Sequence, residues 1–166
     1  MQLMKTLSSL LLITVPFMIR AQHQTVDLFV GTYTNTGKSK GIYVYGFDIA
    51  TGIATFKSAV ASLNPSFLAV STDRKYVYAV NENGDGQGAV SAYAYDAATG
   101  KLVFLNQELT QGDHPCHVVT DSKGTHVMVS NYSGGSVSVF PIQSDGRLGP
   151  LKQLIQYEGS GPDQNR

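Results

Sequence analysis

The sequence predicts an all-β chain built from a repeated four-stranded antiparallel unit, and three observations carry that prediction. Short runs rich in Tyr and Val alternate apolar with polar residues, as half-buried strands do. The same patterns return at spacings of 48 to 50 residues. Beyond residue 21 no window holds the 3.6-residue period of an amphipathic helix. Composition agrees: 14% of the 166 residues are charged, Gly occurs 17 times and 42% are apolar. A disordered charged tail, a coiled coil or a long helical bundle would need far more Lys and Glu. Twelve basic residues balance twelve acidic ones, so there is no basic footprint for nucleic acid.

Residues 1–21 read as an export signal rather than part of the fold. Lys5 supplies a positive start, Leu10 to Ile19 form an uncharged apolar stretch, and Ala21 is the small residue before a cut. The stretch is too short to span a bilayer and contains Pro16. The expectation is a mature chain of residues 22–166 that is exported, periplasmic or secreted, with no membrane attachment after cleavage. Cys116, the single cysteine, has no partner for an intrachain disulfide.

The repeats then order the elements. Gly41 to Gly52 superposes on Ala89 to Gly100, and more weakly on Ser136 to Gly146, so Tyr43, Tyr45 and Phe47 correspond to Ser91, Tyr93 and Tyr95. Asn64-Pro65 matches His114-Pro115, and Tyr76 to Asn81 matches His126 to Asn131, with Leu28 to Thr32 as an earlier copy. Asp-x-x-Thr-Gly at 48–52 and 96–100 predicts a hairpin turn whose Gly takes positive φ. Strands are expected through 53–59 and 101–109, then at Phe67 to Val70 and His117 to Thr120. Four antiparallel strands at this period make one blade of a β-propeller. Residues 28–162 hold about three such blades, whereas propellers close with roughly four to eight. The expectation is therefore the N-terminal part of a longer protein.

Several segments give a more specific resemblance. Gly112 to Val118, Ser130 to Phe140 and Asp145-Gly146 look like the 6-phosphogluconolactonase family of seven-bladed propellers, as do Val30 to Tyr33, Tyr78 to Glu82 and Gly159 to Arg166. The resemblance covers the whole expected mature chain. It implies a seven-bladed intact protein, monomeric when complete, that hydrolyses a sugar-acid lactone such as 6-phosphogluconolactone without a cofactor. In that family a Gln and a Pro-His-x-His stretch follow the final Arg, so part of the expected site comes after Arg166. A muconate-type lactone cyclase shares the fold, and a non-catalytic exported propeller that binds a sugar or protein is a third reading. Export favours a non-phosphorylated lactone over a pentose-pathway intermediate.

Lactone opening needs a base for the attacking water and donors for the developing oxyanion. The candidate catalytic residues are His117, Glu82 and Arg166, and the candidate substrate-binding residues are Asn131, Tyr132 and Tyr33. His117 stands where the earlier repeat has Phe67, and a His in place of a repeat hydrophobe suits a site; a buried His bonded to a neighbouring blade is the plainer reading. Glu82 and Tyr132 match one another just past a strand, and Tyr33 follows Thr32 likewise. Arg166 would hold the anionic part of the lactone, Asn131 and Tyr132 its hydroxyls, and His117 or Glu82 the water. Plainer readings are turn capping for the Asn residues, a solvated carboxylate for Glu82 and a chain end for Arg166. His114 reads as turn chemistry, His126 as an exposed strand head and Cys116 as a buried small thiol on the strand face opposite His117. Gly84 to Gly88 reads as a hairpin loop, because no helix follows to complete a phosphate cradle. No cluster has zinc spacing, and no metal is assigned; a calcium held by Glu82 and Asn131 oxygens has no motif behind it.

Overall fold

The computed structural model describes residues 24–159, which form eleven strands and no helix. They are β1 (Thr25–Gly31), β2 (Gly41–Asp48), β3 (Ala54–Ala61), β4 (Leu68–Val70), β5 (Tyr76–Asn81), β6 (Ala89–Asp96), β7 (Lys101–Leu109), β8 (Pro115–Thr120), β9 (His126–Asn131), β10 (Ser136–Pro141) and β11 (Gln153–Gln156). Consecutive strands pair antiparallel into three sheets, β1 to β3, β4 to β7 and β8 to β11. The first sheet has three strands among the described residues and the other two have four each, in keeping with the roughly three four-stranded blades expected. Residues 1–21, read as an export signal, and Arg166 lie outside the described residues.

The repeat is physical as well as textual. At the β2–β3 turn the Asp48 carboxylate accepts the N–H groups of Ala50 (2.9 Å) and Thr51 (3.1 Å), and Gly52 follows at φ 72°. At the β6–β7 turn Asp96 accepts the Ala98 N–H at 2.9 Å, and Gly100 also has φ 72°. Register breaks fall between Val44 and Tyr45 and between Ala92 and Tyr93, 48 residues apart. Beside each break an aromatic rung crosses to the outer strand: Tyr45–Phe56 and Tyr93–Phe104 both have centroids 5.8 Å apart. Gly84 to Gly88 is the β5–β6 hairpin loop, as expected, with the Gln87 N–H donating to the Gly84 carbonyl at 3.0 Å.

The core lies between sheets. Ile42 and Val44 of the first sheet pack with Val77, Ala79, Tyr93 and Leu102 of the second. Tyr78, Val80, Val90 and Ala92 of the second pack with Val118, Val127, Val129 and Phe140 of the third and with Leu148 of the β10–β11 connection. Each sheet thus buries one face on its neighbour, which is how radially repeated blades form a core. β4 and β8 open their sheets and approach one another, carrying the connections that precede them to one common end.

Candidate functional site

Gly31, Val80 and Ser130 occupy the same register position, facing Ile42, Val90 and Val137. Tyr33, Glu82 and Tyr132 each follow two residues later, so they are equivalent residues of successive blades. A repeated backbone bond fixes the second and third. The Glu82 N–H donates to the Asn64 carbonyl at 3.0 Å, and the Tyr132 N–H to the His114 carbonyl at 2.9 Å. Asn64 and His114 both adopt left-handed backbone, at φ 43° and 52°, which fits the turn role expected of His114. The His114 ring also covers Gly84 so closely that a Cβ there would lie 2.6 Å from the imidazole Cε1.

Two of the expected residues meet directly. The Tyr33 hydroxyl donates to Glu82 Oε2 at 2.8 Å, joining the first two blades. The Ser66 hydroxyl donates to the same oxygen. Glu82 Oε1 has no hydrogen-bond partner among the described residues. The bond to the Glu82 carboxylate, followed by partial burial and the carboxylate's charge, raises the Tyr33 phenol above its ordinary pKa.

Next to Ser66, Phe67 carries the line of contact to His117, with ring centroids 4.5 Å apart and planes at 47°. His117 is exposed, not buried against a neighbouring backbone. Cys116 is the extra residue of a bulge, because Pro115 faces Asn131 while His117 faces Ser130. It is half-buried, with its thiol 3.8 Å from the Ser130 carbonyl oxygen, so the buried small thiol expected is corrected. Ser66 was not singled out in the sequence, and Phe67 entered only as the repeat counterpart of His117; the two are the 50-residue equivalents of Cys116 and His117. That offset is the signal that identifies them.

Tyr132 is 66% exposed. Asn131 is turned into the blade at 2% exposure, and its amide donates to Ser136 Oγ (3.0 Å) and Ser138 Oγ (2.9 Å). Asn81 does the same work one blade earlier, donating to the Leu63 carbonyl at 2.7 Å and accepting from Ser91 Oγ at 2.7 Å. Both asparagines therefore fasten strand ends rather than face the open end. His126, expected to be exposed, is half-buried beside Asp121 and Lys152. Among the described residues no group of three or more His, Cys, Asp or Glu side chains could hold a metal ion.

Three successive antiparallel sheets packed on one another define a segment of a β-propeller, in which Tyr33 and Ser66 bond to the Glu82 carboxylate and the neighbouring Phe67 ring meets His117. The match to a family model is specific: residues 27–166 fit Lactonase, 7-bladed beta-propeller, and the chain belongs to that family. It is 38% identical over 139 residues to a 6-phosphogluconolactonase of Bacillus subtilis, covering 83% of this chain and 39% of the relative. It also resembles the solved structure of a candidate 6-phosphogluconolactonase from Bacteroides fragilis, at 46% identity and TM-score 0.82, covering 86% of this chain and 39% of that one. The periplasmic gluconolactonase PpgL of Pseudomonas aeruginosa is similar at 36% identity and TM-score 0.76, covering 81% and 39%. The chain thus spans about two fifths of the length of these relatives.

Proposed function

We propose that the protein is an exported hydrolase that opens the ring ester of a sugar-acid lactone. The observation that carries this reading is the Glu82 carboxylate, with Oε2 tethered by two hydroxyls and Oε1 without a hydrogen-bond partner among the described residues. In the reaction a water oxygen bonds to the lactone carbonyl carbon while its proton passes to Glu82 Oε1. The resulting oxyanion collapses, the bond to the ring oxygen breaks, and that oxygen takes up a proton to become a hydroxyl. His117 shares the open end and can relay the proton to the leaving oxygen. Tyr132 meets substrate hydroxyls, Asn131 steadies the strand end that presents it, and Arg166 holds the anionic group of a phosphorylated substrate.

The export signal in residues 1–21 favours a non-phosphorylated aldonolactone, and a relative described as a periplasmic gluconolactonase supports that choice. The relative named 6-phosphogluconolactonase supports the phosphorylated substrate as the second reading. The test is hydrolysis of glucono-δ-lactone and of 6-phosphogluconolactone by the intact protein, against the spontaneous rate. Glu82→Gln, His117→Ala and Arg166→Ala are compared with wild type, and loss of the base is expected to cost roughly 10²- to 10⁴-fold. Variants all as fast as wild type would remove these residues from the chemistry. A wild type no faster than the spontaneous reaction would overturn the hydrolase reading; sugar binding without turnover would then favour a binding propeller, and ring closure of a muconate a cyclase. N-terminal sequencing of protein from the periplasm or medium is expected to begin at Gln22.

A further inference from the structure

We infer that Asn64 and Ser66 are the positioning residues that hold Glu82 with one carboxylate oxygen pointing outward. The inference rests on the reading of Glu82 as the base. A carboxylate on an exposed loop samples several rotamers, and a base displaced by about an ångström can cost on the order of a hundredfold in rate. Here the rotation is arrested by Ser66, which together with Tyr33 occupies Oε2.

Asn64 sets the three backbone segments that bring these groups together. Its side-chain carbonyl accepts the N–H of Thr34 (2.9 Å) and of Asn35 (3.3 Å), fixing the segment that carries Tyr33. Its side-chain amide donates to Asn83 Oδ1 at 2.8 Å, beside Glu82. Its backbone carbonyl accepts the N–H of Glu82 (3.0 Å) and of Ser66 (2.9 Å). One buried residue therefore reaches all three segments. The fold does not demand this chemistry, because the next blade has His114 and Cys116 at the equivalent positions with the same left-handed backbone at His114. Asn64 and Ser66 are thus departures from what the repeat requires, at the blade that carries the carboxylate.

The next blade also supplies the test. Asn64→His introduces the residue that tolerates this backbone one repeat later, and Ser66→Ala removes the hydroxyl, while Ser66→Thr restores it. In the intact protein, Asn64→His and Ser66→Ala are expected to lower kcat for lactone opening by roughly tenfold to a hundredfold, with KM little changed. Ser66→Thr is expected to recover most of the loss. In a Glu82→Gln background neither substitution should cost more, because the group they position is gone. A second readout is independent of turnover: the ionisation of Tyr33 followed by NMR of 13Cζ-labelled tyrosine, assigned with Tyr33→Phe. Its midpoint should fall in Glu82→Gln and also in Asn64→His, as the phenol loses its carboxylate partner. If Glu82→Gln is slow but Asn64→His and Ser66→Ala keep wild-type kcat, the positioning inference is overturned and the base reading stands. If Glu82→Gln is as fast as wild type, the base reading falls, and an unmoved Tyr33 midpoint in Asn64→His takes the positioning inference with it.

Discussion

Asp121, at the turn before β9, shows how far one exposed carboxylate can be tuned by its neighbours. It accepts the Thr125 hydroxyl at 2.7 Å and the N–H groups of Thr125 (2.6 Å) and His126 (3.0 Å). These bonds, the Thr125 hydroxyl first, hold its pKa down at about 2 against an ordinary 3.8. Because the Thr125 proton is committed to Asp121, the Thr125 oxygen accepts from His126 Nδ1 (2.9 Å), and Nε2 accepts from the Lys152 ammonium (3.3 Å). The sign of the pH effect follows: the folded pKa is depressed, so the bonds stabilise the fold above the ordinary value and that stability is lost as pH falls through about 2. Melting temperatures measured in steps from neutral pH to pH near 2 should therefore fall more steeply for wild type than for Asp121→Asn. Parallel curves would show that ionised Asp121 contributes no stability for acid to remove.

At the scale of the element, the Asp-x-x-Thr-Gly turns separate backbone cost from packing. A Cβ on Gly52 would meet nothing within 4 Å, whereas one on Gly100 would approach the Lys57 side chain at 2.8 Å. Gly52→Ala is therefore expected to cost only the left-handed backbone penalty, about 1 to 2 kcal/mol, read by denaturant unfolding of the intact protein. Gly52→Asn should recover part of it, since Asn tolerates that region; equal loss for Ala and Asn would mean that φ is not the cause. These turns and the strands between them were legible in the sequence because their signals are local: period-two alternation and an Asp that caps its own turn. The strand expected at 101–109 is β7. What was not legible depends on how blades meet. The sequence spacing could not reveal that Tyr33 reaches Glu82 across two blades, or that Ser66 turns to the same oxygen. Nor does the Asn-Tyr pair at 131–132 indicate which side chain faces in. The bulge at Cys116 breaks the strand alternation, and so its exposure differs.

The whole molecule is held by contacts between blades, and its cohesion should fail first where a blade face lacks a neighbour. Phe140 is fully buried in the core shared by the second and third sheets, so Phe140→Ala is expected to destabilise by about 3 to 5 kcal/mol and to loosen both sheets together, visible in hydrogen exchange of β5 and β9. Loss confined to the third sheet would mean the blades fold independently. The open side lies along β1. Its counterparts β5 and β9 are each flanked by a further strand, β4 and β8, but β1 has none among the described residues. Val26 and Leu28 on β1 are 40% exposed, and beside β1 runs a cavity of about 660 Å³ bordered by Phe29, Val70 and Tyr95. An unpaired apolar edge of this kind recruits another strand. A polypeptide of residues 22–166 alone is therefore expected to self-associate through β1, while a seven-bladed protein of the relatives' length is expected to be monomeric, its edge covered by ring closure. Leu28→Lys should weaken association of the short polypeptide without unfolding it, because a charge on an edge strand opposes pairing while leaving the β1–β2 ladder in place. Sedimentation velocity across a concentration series reads both effects. A 22–166 polypeptide that is monomeric and melts in one sharp transition would show that three blades suffice and that the β1 edge needs no cover.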